Sequence, residues 1–199
     1  MPEVIHITGI VILAAGESAR MGQPKQLLPY NGRSLLRHAT ETALDVANSA
    51  VVVVLGAFAD QIEPELAGLS ITIAHNADWS TGMGGSLRCG LQELLRIEPG
   101  CDRVLFMLCD QPHLSTAHLE LLIQSGNGQL ERIVASEYSG DPGVPALCGK
   151  SYFSELLALD GSGGAKQLFK AHREHVVTVP FPDGDIDIDT LQDFAKLSI

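Results

Sequence analysis

Short apolar runs alternate along this chain with longer segments whose apolar residues recur every three or four positions. The runs predict strands at Ile5–Leu13, Ala50–Leu55, Ile71–His75, Arg103–Leu108, Arg132–Ser136, Val144–Cys148, Val176–Pro180 and Asp185–Ile188. The helical spacing predicts helices over Ser34–Ala47, Asp60–Ala67, Gly85–Ile97, Ser115–Gln124, Ser151–Ala158, Ala165–His172 and Thr190–Ser198. Strands alternating with helices point to an α/β protein with a largely parallel sheet. The Gly-rich breaks at Thr81–Gly85, Gly140–Gly143 and Gly161–Gly164 are too short to separate domains, so one domain over residues 1–199 is expected.

In such a sheet, ligands bind outside the carboxyl ends of the strands. Four loops there carry chemistry. The first, Ala14–Lys25, combines small residues with Arg20 and Lys25. Small residues let backbone N–H groups approach phosphate oxygens, Arg20 offers a planar fork, and Lys25 a mobile point charge. An ordinary strand-to-helix turn with solvated cations has the same composition. The loop is not a P-loop, because Gly16 and Gly22 are separated by five residues and Lys25 lies three beyond Gly22. Nor does "GESARMG" match the dinucleotide pattern G-x-G-x-x-G, which argues against a nucleotide-dependent dehydrogenase.

The second loop, "STGMGGSLRCG", leads glycines into a helix N-terminus, an arrangement suited to an anion or a polar base edge and equally to a flexible connection. In the third, "VLFMLCDQPHL", an apolar strand ends in Asp110 before the turn at Pro112. A carboxylate there can hold Mg²⁺ or cap the next turn. The fourth, "DGDIDIDTLQDF", is not an EF-hand: Ile188 stands where glycine is needed and Phe194 where glutamate is needed. If Asp185–Ile188 is a strand, Asp185, Asp187 and Asp189 share a face. Asp189 then serves as a helix N-cap or as a second metal ligand.

Composition narrows the class. Of 199 residues, 45% are hydrophobic and only 5% aromatic, so aliphatic side chains must build the core. The net charge of −11 opposes binding to nucleic acid or an anionic membrane. It does not oppose a small phosphorylated ligand, since a distant field is screened over roughly 8–10 Å. Cys89, Cys101, Cys109 and Cys148 form no CxxC pair, which fits reduced thiols in a cytoplasmic protein. Met1–Thr8 lacks a basic flank and contains Glu3, so no export signal is expected, and no stretch is apolar enough to span a bilayer. His113 and His118 lack partners at metal spacing, and no G-x-S-x-G elbow accompanies Ser18, Ser86 or Ser162.

"LAAGESARMGQPKQLLP" resembles the N-terminal signature of the MobA-like nucleotidyltransferases, L-A-A-G-x-S-x-R-M-G-x-x-K. "TGMGGSLRCG", "CDQP", "GDPGVPAL" and "DIDT" follow in that family's order, so the resemblance covers essentially the whole chain. It is strongest to the molybdenum cofactor cytidylyltransferase branch. The guanylyltransferase branch usually has Ala-Gly-Gly at Ala14–Gly16 and Asp where Pro24 stands.

The resemblance implies a three-layer α/β/α sandwich with a Rossmann-like nucleotide half, about residues 1–110, and an acceptor half, about 111–199. It implies that Leu13, Ala14, Ala15 and Gly16 line a nucleotide, and that Arg20 and Lys25 bind its phosphates. Gly84 and Ser86 would face base and ribose. Asp110 and Asp189 would hold Mg²⁺, and Pro145 would shape the acceptor pocket. The expected reaction is CMP transfer from CTP to the phosphate of a molybdopterin-type acceptor, with Arg20, Lys25 and Asp110 as the catalytic groups. GTP, another phosphorylated acceptor, or a non-catalytic role handing cofactor to a molybdoenzyme or its maturation chaperone are the alternatives. Ser162 and Lys166 replace the Asp and Arg of the family's G-D-x-G-A-R run, a departure on the acceptor side.

Overall fold

The computed structural model describes residues 6–161, 163–186, 188 and 194. Its strands are β1 (Thr8–Leu13), β2 (Pro29–Tyr30), β3 (Arg33–Ser34), β4 (Ala50–Leu55), β5 (Thr72–His75), β6 (Arg103–Leu108), β7 (Ile133–Tyr138), β8 (Asp141–Gly149) and β9 (Val176–Pro180). Its α-helices are α1 (Leu35–Leu44), α2 (Ala59–Ile62), α3 (Met83–Ile97), α4 (Thr116–Ser125), α5 (Phe153–Leu157) and α6 (Ala165–Ala171).

Seven strands form one sheet in the order β5-β4-β1-β6-β8-β7-β9. Every pairing is parallel except those of β8, which runs antiparallel to β6 and β7. β8 reverses because it follows β7 through a two-residue turn, Ser139–Gly140, both at positive φ. That turn matches the twist of an antiparallel hairpin.

Alternation along each strand supplies two cores. Ile10 and Ile12 of β1 face Leu36, Ala39, Leu119 and Leu122 of α1 and α4. Val11 and Leu13 face Leu87, Leu91 and Leu94 of α3, in a cluster that also takes in α5 and α6. Helices therefore cover both faces, and the molecule is the expected α/β/α sandwich of mostly parallel strands. Gly90 lets α3 lie close on the sheet, since a Cβ there would run into the side chains of Val11 and Val54.

The chain order along the sheet reverses at β1. From β1 it runs outward to β4 and β5, then returns to β6 on the other side. The crevice at that reversal is where a ligand has room between loops. The register pairs Leu13 with Leu108, so the loop after β1 emerges beside the loop after β6.

Two local departures have physical causes. Asp185–Ile188 is not a strand at its described positions: Gly184 N–H donates to Phe181 and Ile186 N–H to Asp183, closing turns. Asp-Gly pairs favour such turns over extended chain. The helices expected at Asp60–Ala67 and Ser151–Ala158 are partly 3₁₀, with Glu63–Leu66 and Lys150–Tyr152 in that tighter form. Pro64 lacks the N–H that an α-helix would use. The expected helix Thr190–Ser198, apart from Phe194, lies outside the described residues, as do Ser162, Asp187 and Asp189.

Candidate active site

At the chain reversal, the loops after β1 and β6 and the N-terminus of α3 enclose a cavity of about 480 Å³. Leu13, Ala14, Ala15, Gly16, Lys25, Ser86 and Asp110 all line it. Trp79, Gly82 and Met83 add an apolar and backbone wall from the glycine-rich loop.

Gln26 determines the shape of the loop after β1. Its side chain is 1% exposed, and its amide nitrogen donates to the carbonyls of Ala14 at 2.8 Å and Gly16 at 2.9 Å. Ser18 adopts positive φ and accepts from the backbone N–H of Lys25 at 3.1 Å. These bonds fold residues 14–26 into a tight Ω-like turn that carries Lys25 back over the end of β1. There its ammonium forms a direct ion pair with Asp110.

The second oxygen of that carboxylate matters more. Asp110 Oδ1 is buried and has no hydrogen-bond partner among the described residues. A buried carboxylate oxygen left so is costly unless a cation or donor meets it. The donor set fits Mg²⁺, which takes one or two protein carboxylates and leaves its other positions to phosphate and water. Asp189, the second expected ligand, lies outside the described residues. Ile188 does reach this corner: its N–H donates to the carbonyl of Asp110 at 3.3 Å, and its side chain packs with Met21, Leu28 and Leu35.

Beside Asp110, burial pushes the Cys109 thiol up to about 12, with the Asp110 charge adding and Lys25 opposing. This thiol is no nucleophile near neutral pH.

Arg20, Gly84 and Pro145 do not line the cavity. Arg20 lies on the exposed outer part of its loop and is not among the residues lining the cavity. Gly84 is buried and does not line the cavity: a Cβ there would strike the carbonyl oxygens of Asp160 and Gly163, so glycine lets that backbone lie against the start of α3. Ser86 accepts from buried Asn76 at 3.0 Å, which ties α3 to the end of β5. Pro145 follows a cis peptide bond and is buried within β8, away from the cavity wall.

Sequence reasoning missed Gln26, Asn76 and Gln111. Gln111 donates to the carbonyls of Val144 and Gly184, each at 3.0 Å, holding β8 and the 181–185 turn against the end of β6. A glutamine followed at once by an apolar residue, as in "KQLL" and "CDQP", was the weak signal available, because a buried amide must find backbone partners.

A family model for the MobA-like NTP transferase domain matches residues 10–176. The chain is 39% identical over 135 residues to nicotine blue oxidoreductase of Paenarthrobacter nicotinovorans, covering 67% of this chain and 62% of that protein. It is 29% identical over 196 residues to the purine catabolism protein PucB of Bacillus subtilis, covering 92% of each. Among solved structures, Rv0371c of Mycobacterium tuberculosis in complex with manganese superposes with a TM-score of 0.78 at 28% identity, covering 98% of this chain and all of that one.

Proposed function

Because this chain belongs to the MobA-like NTP transferase domain family, we propose that it is a cytidylyltransferase: it moves CMP from CTP to the phosphate of a molybdopterin-type acceptor. One observation carries the reading. Lys25 and Asp110, from loops that the sheet brings together, form an ion pair in a cavity lined otherwise by small residues, Glu17, the side chains of Trp79 and Met83, and a helix N-terminus. That arrangement suits binding of phosphate and a divalent cation.

The described cation pairs with the carboxylate until a nucleotide enters. Lys25 then exchanges Asp110 for triphosphate oxygens, and the Asp110 carboxylate so released would hold Mg²⁺. Mg²⁺, when bound, supplies charge neutralisation on the triphosphate. The backbone of Ala14–Gly16, fixed by Gln26, meets the nucleotide from below. The α3 N-terminus offers amides on the opposite side. Arg20, at the rim, meets phosphates as they enter.

In the reaction an acceptor phosphate oxygen attacks the α-phosphorus in line. The new P–O bond forms as the bond to the β-phosphate bridging oxygen breaks, and pyrophosphate leaves with that electron pair. The attacking oxygen is already anionic, so no side chain must take a proton. Lys25 offsets charge on the departing pyrophosphate. Catalysis is then positioning and electrostatic stabilisation. The choice of CTP rests on Ala15 and Pro24, and that of metal on the orphaned Asp110 oxygen, alongside the manganese in the Rv0371c structure. Pro145, behind Gln111, shapes the acceptor side.

The test is pyrophosphate release with Mg²⁺ and molybdopterin, comparing CTP, GTP and ATP. Acceptor-dependent release with CTP is expected. Release with GTP alone, or CTP binding without release, overturns the assignment. The 39% identity to an oxidoreductase favours one second reading, a redox enzyme. Oxidation of NAD(P)H by the purified protein with an added two-electron acceptor such as a quinone-type dye, without pyrophosphate release, would establish that instead.

A further inference from the structure

The end of α6 turns into β9 through a 3₁₀ turn, Arg173–His175. Residues three apart eclipse in that geometry. His172 and His175 therefore stand one above the other, their rings within 10° of parallel and 6.3 Å apart. Ligand atoms of His172, Glu174 and His175 all lie within 4.8 Å of one another.

The outward hydrogen bonds of the two rings decide what they offer. Tyr152 has one hydroxyl proton, and it goes to the carbonyl of Glu131 at 2.6 Å, since a carbonyl can only accept. The same oxygen lies 2.8 Å from His175 Nδ1, so that nitrogen must carry the proton and donate. His175 Nε2 is left with its lone pair. His172 Nε2 lies 2.7 Å from the Glu155 carboxylate, so it carries the proton in the neutral ring and leaves the lone pair on Nδ1. Each imidazole thus has one nitrogen committed to an oxygen acceptor and the other available. Carboxylate or hydroxyl partners behind metal-bound histidines do this work, fixing tautomer and ring orientation.

We propose that His172 Nδ1, His175 Nε2 and the Glu174 carboxylate form a surface site for Zn²⁺, with Glu155 and Tyr152 as its supporting shell and water completing a tetrahedron. Two imidazoles and a carboxylate select a borderline transition ion over Mg²⁺ or Ca²⁺, which take all-oxygen sets. The ion would tie the end of α6 to the lead into β9, while Glu155 extends the link to α5. The site shares no residue with the nucleotide cavity.

The experiment titrates Zn²⁺ into tag-free, metal-stripped full-length protein against a chromophoric chelator. One tight equivalent is expected, unaffected by excess Mg²⁺ and retained in Asp110→Asn. The double variant His172→Ala/His175→Ala should weaken it at least about 100-fold, and Tyr152→Phe, which removes only the tautomer-setting hydroxyl, about 10-fold. Glu174→Gln tests the third ligand without disturbing the rings. A zinc equivalent that survives in the histidine double variant, is displaced by equimolar Mg²⁺, or is lost in Asp110→Asn overturns the proposal.

Discussion

Lys25 and Asp110, 85 positions apart, form an ion pair at the carboxyl end of the sheet. Asp110 is the more buried partner, with 9% of its side chain exposed against 18% for Lys25. A charge that buried is tolerated because its opposite is at contact, yet one of its oxygens has no hydrogen-bond partner among the described residues. Under the proposed function, the pair is the resting form of a site that receives a phosphate and a cation.

Replacing either partner should leave the fold and remove the chemistry. Lys25→Ala and Asp110→Ala are each expected to lose on the order of 10²–10³ in kcat, as for removal of a preorganised electrostatic group. Single-turnover pyrophosphate release with CTP measures it. Near-normal turnover in either variant would reject its assigned role.

Gln26→Ala should act on binding more than on the chemical step. It frees the carbonyls of Ala14 and Gly16 from their donor and opens a buried gap. A cost of about 1–3 kcal/mol in stability is expected from the lost bonds. Urea unfolding gives that number, and the KM for CTP should rise as the loop loosens. An unchanged midpoint would show that the loop is held by something else.

Gly84→Ala should be damaging without touching the cavity wall. Its new methyl meets the carbonyls of Asp160 and Gly163, and backbone cannot move aside as a side chain can. Overpacking of this kind costs about 1–3 kcal/mol. Thermal unfolding checks it, with Ser86→Ala as the neighbour expected to lose only the bond from Asn76.

Stability should fall on both sides of neutrality. Burial holds His118 below its ordinary value of 6.5, so the unfolded chain takes up the proton first and stability is lost as pH drops under 6.5. Burial raises Cys109 and Cys148 from 9.0 to about 12, so the unfolded chain releases protons first and stability is lost as pH climbs above 9. Denaturant midpoints across pH 5–10 should trace that dome. His118→Gln should flatten its acid limb, and a limb of unchanged slope would assign it to other groups.

The same burial predicts thiol behaviour. Cys101, Cys109 and Cys148 are buried, while Cys89 is partly exposed. A disulfide reagent at pH 8 should modify Cys89 alone, slowly because burial raises its pKa, and all four only after unfolding. Fast labelling of a second thiol in the native protein would contradict this packing.

Much of this protein is written in short-range pattern. Strands such as Ala50–Leu55 and Arg103–Leu108 are legible because a buried parallel strand is a continuous apolar run with polar ends. The chemistry at their ends is legible for a related reason: an apolar run that stops at Ala14 or Asp110 leaves its next residues at the sheet's edge. The hairpin β2–β3 was missed: its Asn31-Gly32 turn at positive φ is a hairpin signal, but periodicity passes over strands of two residues.

What sequence alone cannot supply is distance between segments far apart in the chain. The sequence determined the longer strands of the sheet, the principal helices, and the cations and carboxylates at strand ends. The tertiary structure decided that Lys25 meets Asp110, that Gln26 shapes the loop after β1, and that Gly84 makes room for the backbone of Asp160 and Gly163 rather than lining the cavity. It also decided that β8 runs against its neighbours, and that His172 and His175 stack with their lone pairs left over. The physical reason is the same each time. Periodicity is fixed by the geometry of one element, but a contact is fixed only when the cores on both faces of the sheet have locked the elements in register.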